Sequence, residues 1–238
     1  MFSIAGANPR ILTRLALTLV LSAWFALGAT SHAAPDDSLH ARIDQLSDQA
    51  AVGPRGGVVD DLTFLRRVTL DLTGRIPSVV ESRKFLADTS PDKRSQAIDR
   101  LMSSPDFYRH LAVVFDVMLM ERRGDKHVKS VEFRAWLQEF FQQKKPYNEL
   151  VHSLLSADGT DEKQRAASAF FLERDVEPNL LTREIGRMFL GIDLQCAQCH
   201  DHPLIDDYHQ TDYFGTFAFV NQLAVFRPDA KKPALIGE

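Results

Sequence analysis

Cysteine is nearly absent from this chain, with two in 238 residues. They lie three positions apart, so the chain has no disulfide framework beyond one short loop, which would stabilise little. Strand signals are also scarce, which argues against a β-rich fold. After Leu27 no run of apolar residues approaches the ~20 that a membrane span requires. There is no basic stripe and no RNA-binding signature, so nothing points to nucleic acid. A hydrolase lacks recognisable machinery here, since neither a nucleophile elbow nor a metalloprotease helix is present and no acid pair can be placed across a cleft.

What is there begins with a leader. Arg10 and Arg14 precede an apolar run from Leu15 to Leu27, then small residues and Ser31-His32-Ala33, the pattern of a secretory signal peptide over residues 1–33. A retained N-terminal anchor is the other reading, but the apolar stretch is short and leads straight into Pro35-Asp36-Asp37. Cleavage after Ala33 would leave 26 basic against 32 acidic residues, a formal net charge of −6. The expected destination is the periplasm or the outside of the cell, with no span after cleavage.

Helix punctuation recurs along the remainder, and the fold class it predicts is all-α. Residues 34–59 read as a helix and linker, in which Ser38 caps a stripe of Leu39, Ile43 and Leu46 before the Gly53–Gly57 break. Residues 60–225 read as one multi-helix domain and 226–238 as a tail. Asp60 and Asp61 start a helix with Leu62, Leu65 and Leu72 apolar and Arg66 and Arg67 outward, stopping near Gly74. Ser78 and Glu81 have capping-box spacing, and Ser90-Pro91 and Ser104-Pro105 each pair a cap with proline at the first helical position. The helix from Pro105 to about Arg122 is assigned a core stripe of Leu111, Val114, Phe115, Met118 and Leu119. Phe133, Trp136, Leu137, Phe140 and Phe141 form a wide aromatic face read as core, on a helix that Pro146 stops. Another short helix opens at Tyr147, a surface loop follows from Thr160 to Arg165, and an amphipathic helix runs from Pro178 to Gly191.

Directly after that helix stands Cys196-Ala197-Gln198-Cys199-His200. Two thiols separated by two residues can add to the two vinyl groups of haem while the adjacent histidine ligates iron, the attachment pattern of haem c. On this reading Cys196 and Cys199 are attachment points and His200 is the axial ligand. Two alternatives stand beside it: a short-loop disulfide, or a zinc site drawn from Cys196, Cys199, His200, His202 and His209. Candidates for the sixth iron position are His209, Met188 and His202, with Met118, His110 and His127 further away in sequence. His202 is badly placed to reach the opposite face of the ring. Asp201 and Asp206 could orient histidine ligands. Thr211 could cap a helix whose Tyr213, Phe214, Phe217, Phe219 and Val220 either cover a haem face or close an ordinary core.

Three strings carry a family resemblance: Phe64-Leu65-Arg66-Arg67-Val68-Thr69-Leu70-Asp71-Leu72-Thr73-Gly74, Ile98-Asp99-Arg100-Leu101-Met102-Ser103-Ser104-Pro105, and Phe189 through Pro203 with its Cys-Ala-Gln-Cys-His-Asp-His-Pro ending. With Phe85-Leu86-Ala87-Asp88 and Tyr213-Phe214-Gly215, they make the chain from about Leu39 to Val220 resemble the planctomycete cytochrome C-related domain. It departs from that pattern after Pro105, where relatives carry a Trp-rich helix and this chain has Phe107-Tyr108-Arg109-His110. The resemblance implies an exported helical domain of uncharacterised activity, unlike classical cytochrome c, often followed by a further domain. The expected function is an exported haem c electron-transfer module. Its partner would be a redox protein or a downstream domain missing from this chain, which on that view is truncated. The alternative is a helical scaffold with a structural metal or disulfide, part of a larger exported, polysaccharide-processing system.

Overall fold

The computed structural model describes residues 38–53, 56–123 and 125–237. The leader and its cleavage site lie outside the described residues. The described residues fall into two units, divided between Val58 and Val59. In the first, α1 (Leu39–Ala50) follows Ser38, and its stripe of Leu39, Ile43 and Leu46 is exposed.

The second unit is built from helices, as the punctuation predicts. In α2 (Asp61–Thr73), the Asp60 carboxylate accepts from the Thr63 N–H at 2.9 Å, filling one of the orphan donors of a helix start. Gly74 ends it at φ 69°, where a Cβ would stand 2.4 Å from His110 Nδ1, so both backbone and space require glycine. The capping box of α3 (Val79–Ala87) forms as predicted, with Ser78 N–H donating to Glu81 at 2.7 Å and Glu81 N–H to the Ser78 hydroxyl at 3.2 Å. The Ser90-Pro91 cap does not form: a turn through Pro91 and Asp92 delays α4 (Lys93–Met102), and Asp92 is the residue before its first turn. Ser104 does cap α5 (Pro105–Met120), accepting from Phe107 N–H at 3.3 Å. Leu65, Phe85 and Ala97 from α2, α3 and α4 form a small core, over which Lys93 and Arg94 lie on the Phe85 and Phe64 rings at 5.2 and 4.8 Å while both pair with Asp61.

The main core takes Ala112, Leu119 and Met120 from α5, Phe133, Leu137 and Phe140 from α6 (Ser130–Gln142), and Leu150 and Leu154 from α7 (Tyr147–Ser156). The aromatic face of α6 is core, as expected. The α5 stripe is only partly the one assigned: Leu119 is core and Phe115 packs against it, but Val114 and Met118 are exposed, and Ala112, Asp116 and Met120 turn inward instead. Almost every residue from Leu111 to Met120 is apolar, so composition could not choose a face, and the half-buried Asp116–Arg134 pair at 3.3 Å lies on the inner one. At the centre is a segment that no periodicity marked. A 3₁₀ turn, Arg165–Ser168, runs into the one-turn α8 (Ala169–Leu172), and every residue from Ala167 to Arg174 is buried. A segment enclosed on all sides shows no amphipathic period to read.

Beyond it, α9 (Pro178–Ile185) starts on Glu177, whose carboxylate accepts from Asn179 and Leu180 N–H. It widens into a π turn, Gly186–Leu190, and ends at Gly191 with φ 70°. The chain then folds back so closely that a Cβ on Gly186 would stand 2.9 Å from Leu194 Cδ1. After α10 (Gln210–Phe217) comes an antiparallel hairpin, β1 (Ala224–Phe226) with β2 (Leu235–Gly237), where the sequence suggested a plain tail. The unit remains predominantly all-α.

Candidate functional site

The cysteine motif forms a single 3₁₀ turn, Cys196–Gln198, seated between α9 and α10. Leu194, Ala197 and Tyr213 make a small buried cluster with Ile192 and Phe217 packed against it, so the turn is pinned by its middle residue while its reactive ends face outward. Cys196 is half-buried and Cys199 exposed, and both thiols are free. The N–H groups of Cys199 and His200 both donate to the Cys196 carbonyl at 3.2 Å, closing the turn.

His200 is exposed, and its Nδ1 lies 2.7 Å from the Asp201 carbonyl oxygen. A carbonyl only accepts, so Nδ1 is the donor in this contact and Nε2 is the ring nitrogen left outside it. Metal-ligating histidines are oriented in this way, by donating the other ring N–H to a fixed acceptor. Asp201 does more than orient. Its carboxylate accepts from Gln210 N–H at 2.7 Å and lies 3.9 Å from His209 Nδ1, tying the motif to the start of α10. Thr211 is not the cap of that helix: the cap lies two residues earlier, at His209, which donates its N–H to Asp212. Asp206 is exposed.

The other candidate ligands are dispersed. His202 closes the next turn, its Nδ1 accepting from Leu204 and Ile205 N–H at 3.2 and 3.0 Å while its backbone N–H donates to the Tyr208 carbonyl. Met188 packs against the main core, Met118 is exposed on α5, His110 lies under Gly74, and His127 sits between Asp175 and Arg227. Among the described residues no three His, Cys, Asp or Glu side chains converge on a point that could hold a metal ion.

Haem makes a different demand. A lone cation needs donors aimed at one point, whereas a porphyrin takes two thiols at its rim and one imidazole at its centre. Free thiols at both ends of one turn, followed by an outward imidazole fixed through Nδ1, fit that donor set.

One group at this site had no sequence signal. The Asn179 side-chain oxygen accepts from the Tyr213 hydroxyl at 2.7 Å and from the Gln198 amide at 3.2 Å, clamping α9, the motif turn and α10 together. Burial pushes the Tyr213 hydroxyl pKa up, which keeps it a donor. These residues are 19 and 34 positions from Asn179, too far apart for any local pattern.

Over residues 41–225 the chain matches the family model PSCyt2, a protein of unknown function (DUF1549). It belongs to that family, a planctomycete cytochrome-related domain. No curated protein and no solved structure matches it.

Proposed function

We propose that this is an exported haem c domain that carries single electrons. Cys196 and Cys199 would hold the porphyrin through thioether bonds, and His200 Nε2 would ligate iron. When bound, the group supplies a reversible one-electron couple. The observation that carries the reading is the His200 Nδ1 contact with the Asp201 carbonyl, beside two free thiols on one turn. Asp201 and Ala197 act as positioning residues, one holding the imidazole and α10, the other anchoring the turn in the core. Of the sixth-ligand candidates His209 is favoured over Met188, because its ring is half-exposed next to the motif whereas Met188 is packed into the main core. The redox partner is a protein of the same compartment or a downstream domain.

The test is expression of the full chain in a periplasm equipped with haem-maturation machinery. A Soret band and a denaturation-resistant mass increase equal to haem are expected, on a chain beginning at Ala34. Cys196→Ala should keep a single thioether, and His200→Ala should change the iron spectrum. Absence of both signals, with stoichiometric zinc by elemental analysis, would replace this reading with the metal-scaffold one.

A further inference from the structure

A cavity of about 740 Å³ in the second unit lies along α10, with Ile192 shared between its wall and the cluster that seats the cysteine turn. Thr211, Asp212, Gly215, Thr216 and Phe219 line it, whereas Tyr213 and Phe217, on the other face of that helix, pack with the motif. The opposing wall is apolar and mostly aliphatic, with Leu155, Ile185, Leu190, Ile192 and Leu223 beside the single ring of Phe171. We infer that this cavity binds an uncharged, largely aliphatic molecule bearing one hydroxyl, of the size of a long-chain alcohol.

Size selects a small molecule over a protein. The volume falls within the roughly 300–1,000 Å³ of small-molecule sites, and its lining is a dozen residues, well below the 20–30 a side that a stable protein interface uses. Charge selects a neutral ligand. No Lys, Arg or His lines the cavity, and the one ionisable group is the Asp212 carboxylate, which would repel a fatty acid; its Oδ2 accepts from the His209 N–H, leaving Oδ1 as the acceptor for a hydroxyl.

An independent observation comes from Gly215. It lies inside α10, its φ is not positive, and a Cβ built on it meets nothing within 4 Å. Glycine in a helix interior costs roughly 0.5–1 kcal/mol relative to alanine, and neither backbone conformation nor close packing requires it here. What a side chain at 215 would do is fill the cavity it lines.

The neutral probe N-phenyl-1-naphthylamine, titrated into the full chain, should show saturable, blue-shifted emission displaced by 1-decanol. Decanoate should displace it at least tenfold more weakly. Gly215→Leu and the rim variant Leu190→Asp should each weaken probe binding at least tenfold while retaining the helical circular dichroism, and Gly215→Ala should melt higher than the parent. The inference is overturned if the probe does not saturate, if decanoate competes as well as decanol, or if both folded variants bind the probe as the parent does.

Discussion

Arg174 shows how much a single enclosed residue can hold. Its guanidinium donates to the Leu119 and Phe170 carbonyls at 2.6 and 2.8 Å, lies 4.3 Å from the Phe170 ring centroid, and has Glu184 at 3.6 Å. Leu119 is in the last turn of α5, where carbonyls have no intrahelical partner, so this arginine terminates one helix from another part of the chain. Burial, with Arg123 nearby, pulls its pKa down to about 10, leaving it charged at neutral pH. Arg174→Met should therefore cost about 3 kcal/mol, because the Leu119 and Phe170 carbonyls lose their donor and the buried Glu184, which keeps Arg187 at 2.7 Å, loses the second of its two cations. Chemical denaturation should show a lower midpoint at unchanged slope; a loss below 1 kcal/mol would mean that the carbonyls find other partners. Glu173 beside it accepts from the N–H groups of Lys126, His127 and Val128 at 2.6–2.9 Å, fixing the loop that leads into α6. Neither role was legible in the sequence, where Glu173 and Arg174 look like ordinary surface charges.

Capping was the most readable feature at the level of elements, because its chemistry spans only three or four residues. Asp60, Ser78 and Ser104 cap as their spacing predicts, and Gly74 and Gly191 end their helices in the left-handed region. Ser90 and Thr211 fail for a similar local reason, since a neighbouring residue, Asp92 or His209, takes the position before the first turn. The α3 box carries a pH dependence. Arg75, and then the Ser78 N–H, pull the Glu81 carboxyl from 4.5 down to about 2. A carboxylate with a depressed folded-state pKa contributes stability that is complete above its unfolded value and is lost as pH falls. Glu81→Gln should thus be less stable than the parent by about 1 kcal/mol at pH 7, a figure reduced for solvent screening of a pair more than a third exposed. The difference should shrink between pH 4.5 and 2, as followed by thermal melts across that range. A difference independent of pH would assign the loss to geometry rather than charge.

The second unit as a whole is closed by its C-terminal hairpin, which no pattern announced. Ile236 N–H donates to the Asp158 carbonyl at 2.9 Å, Arg165 donates to the Ala234 carbonyl at 3.1 Å, and Ala234 is buried within the main core. Ala234→Asp would place a carboxylate there, so a loss of 2 kcal/mol or more is expected in equilibrium unfolding. Retention of full stability would show that the hairpin can lift without disturbing the core. The strands are three residues each, too short for alternation to be seen.

Local chemistry, then, was decided by the sequence alone: the helical class, most helix ends, the aromatic core face of α6, and the pairing of Cys196, Cys199 and His200 on one turn. Each depends on residues within a few positions of one another, and that is the range over which hydrogen-bond geometry and helical period act. Only the tertiary structure decided which face of α5 is core, that Ala167–Arg174 is the buried centre, that Asn179 clamps the motif, and that one face of α10 lines an apolar cavity. Those outcomes depend on contacts tens of residues apart, which hydrophobic burial selects across the whole unit and no local spacing encodes.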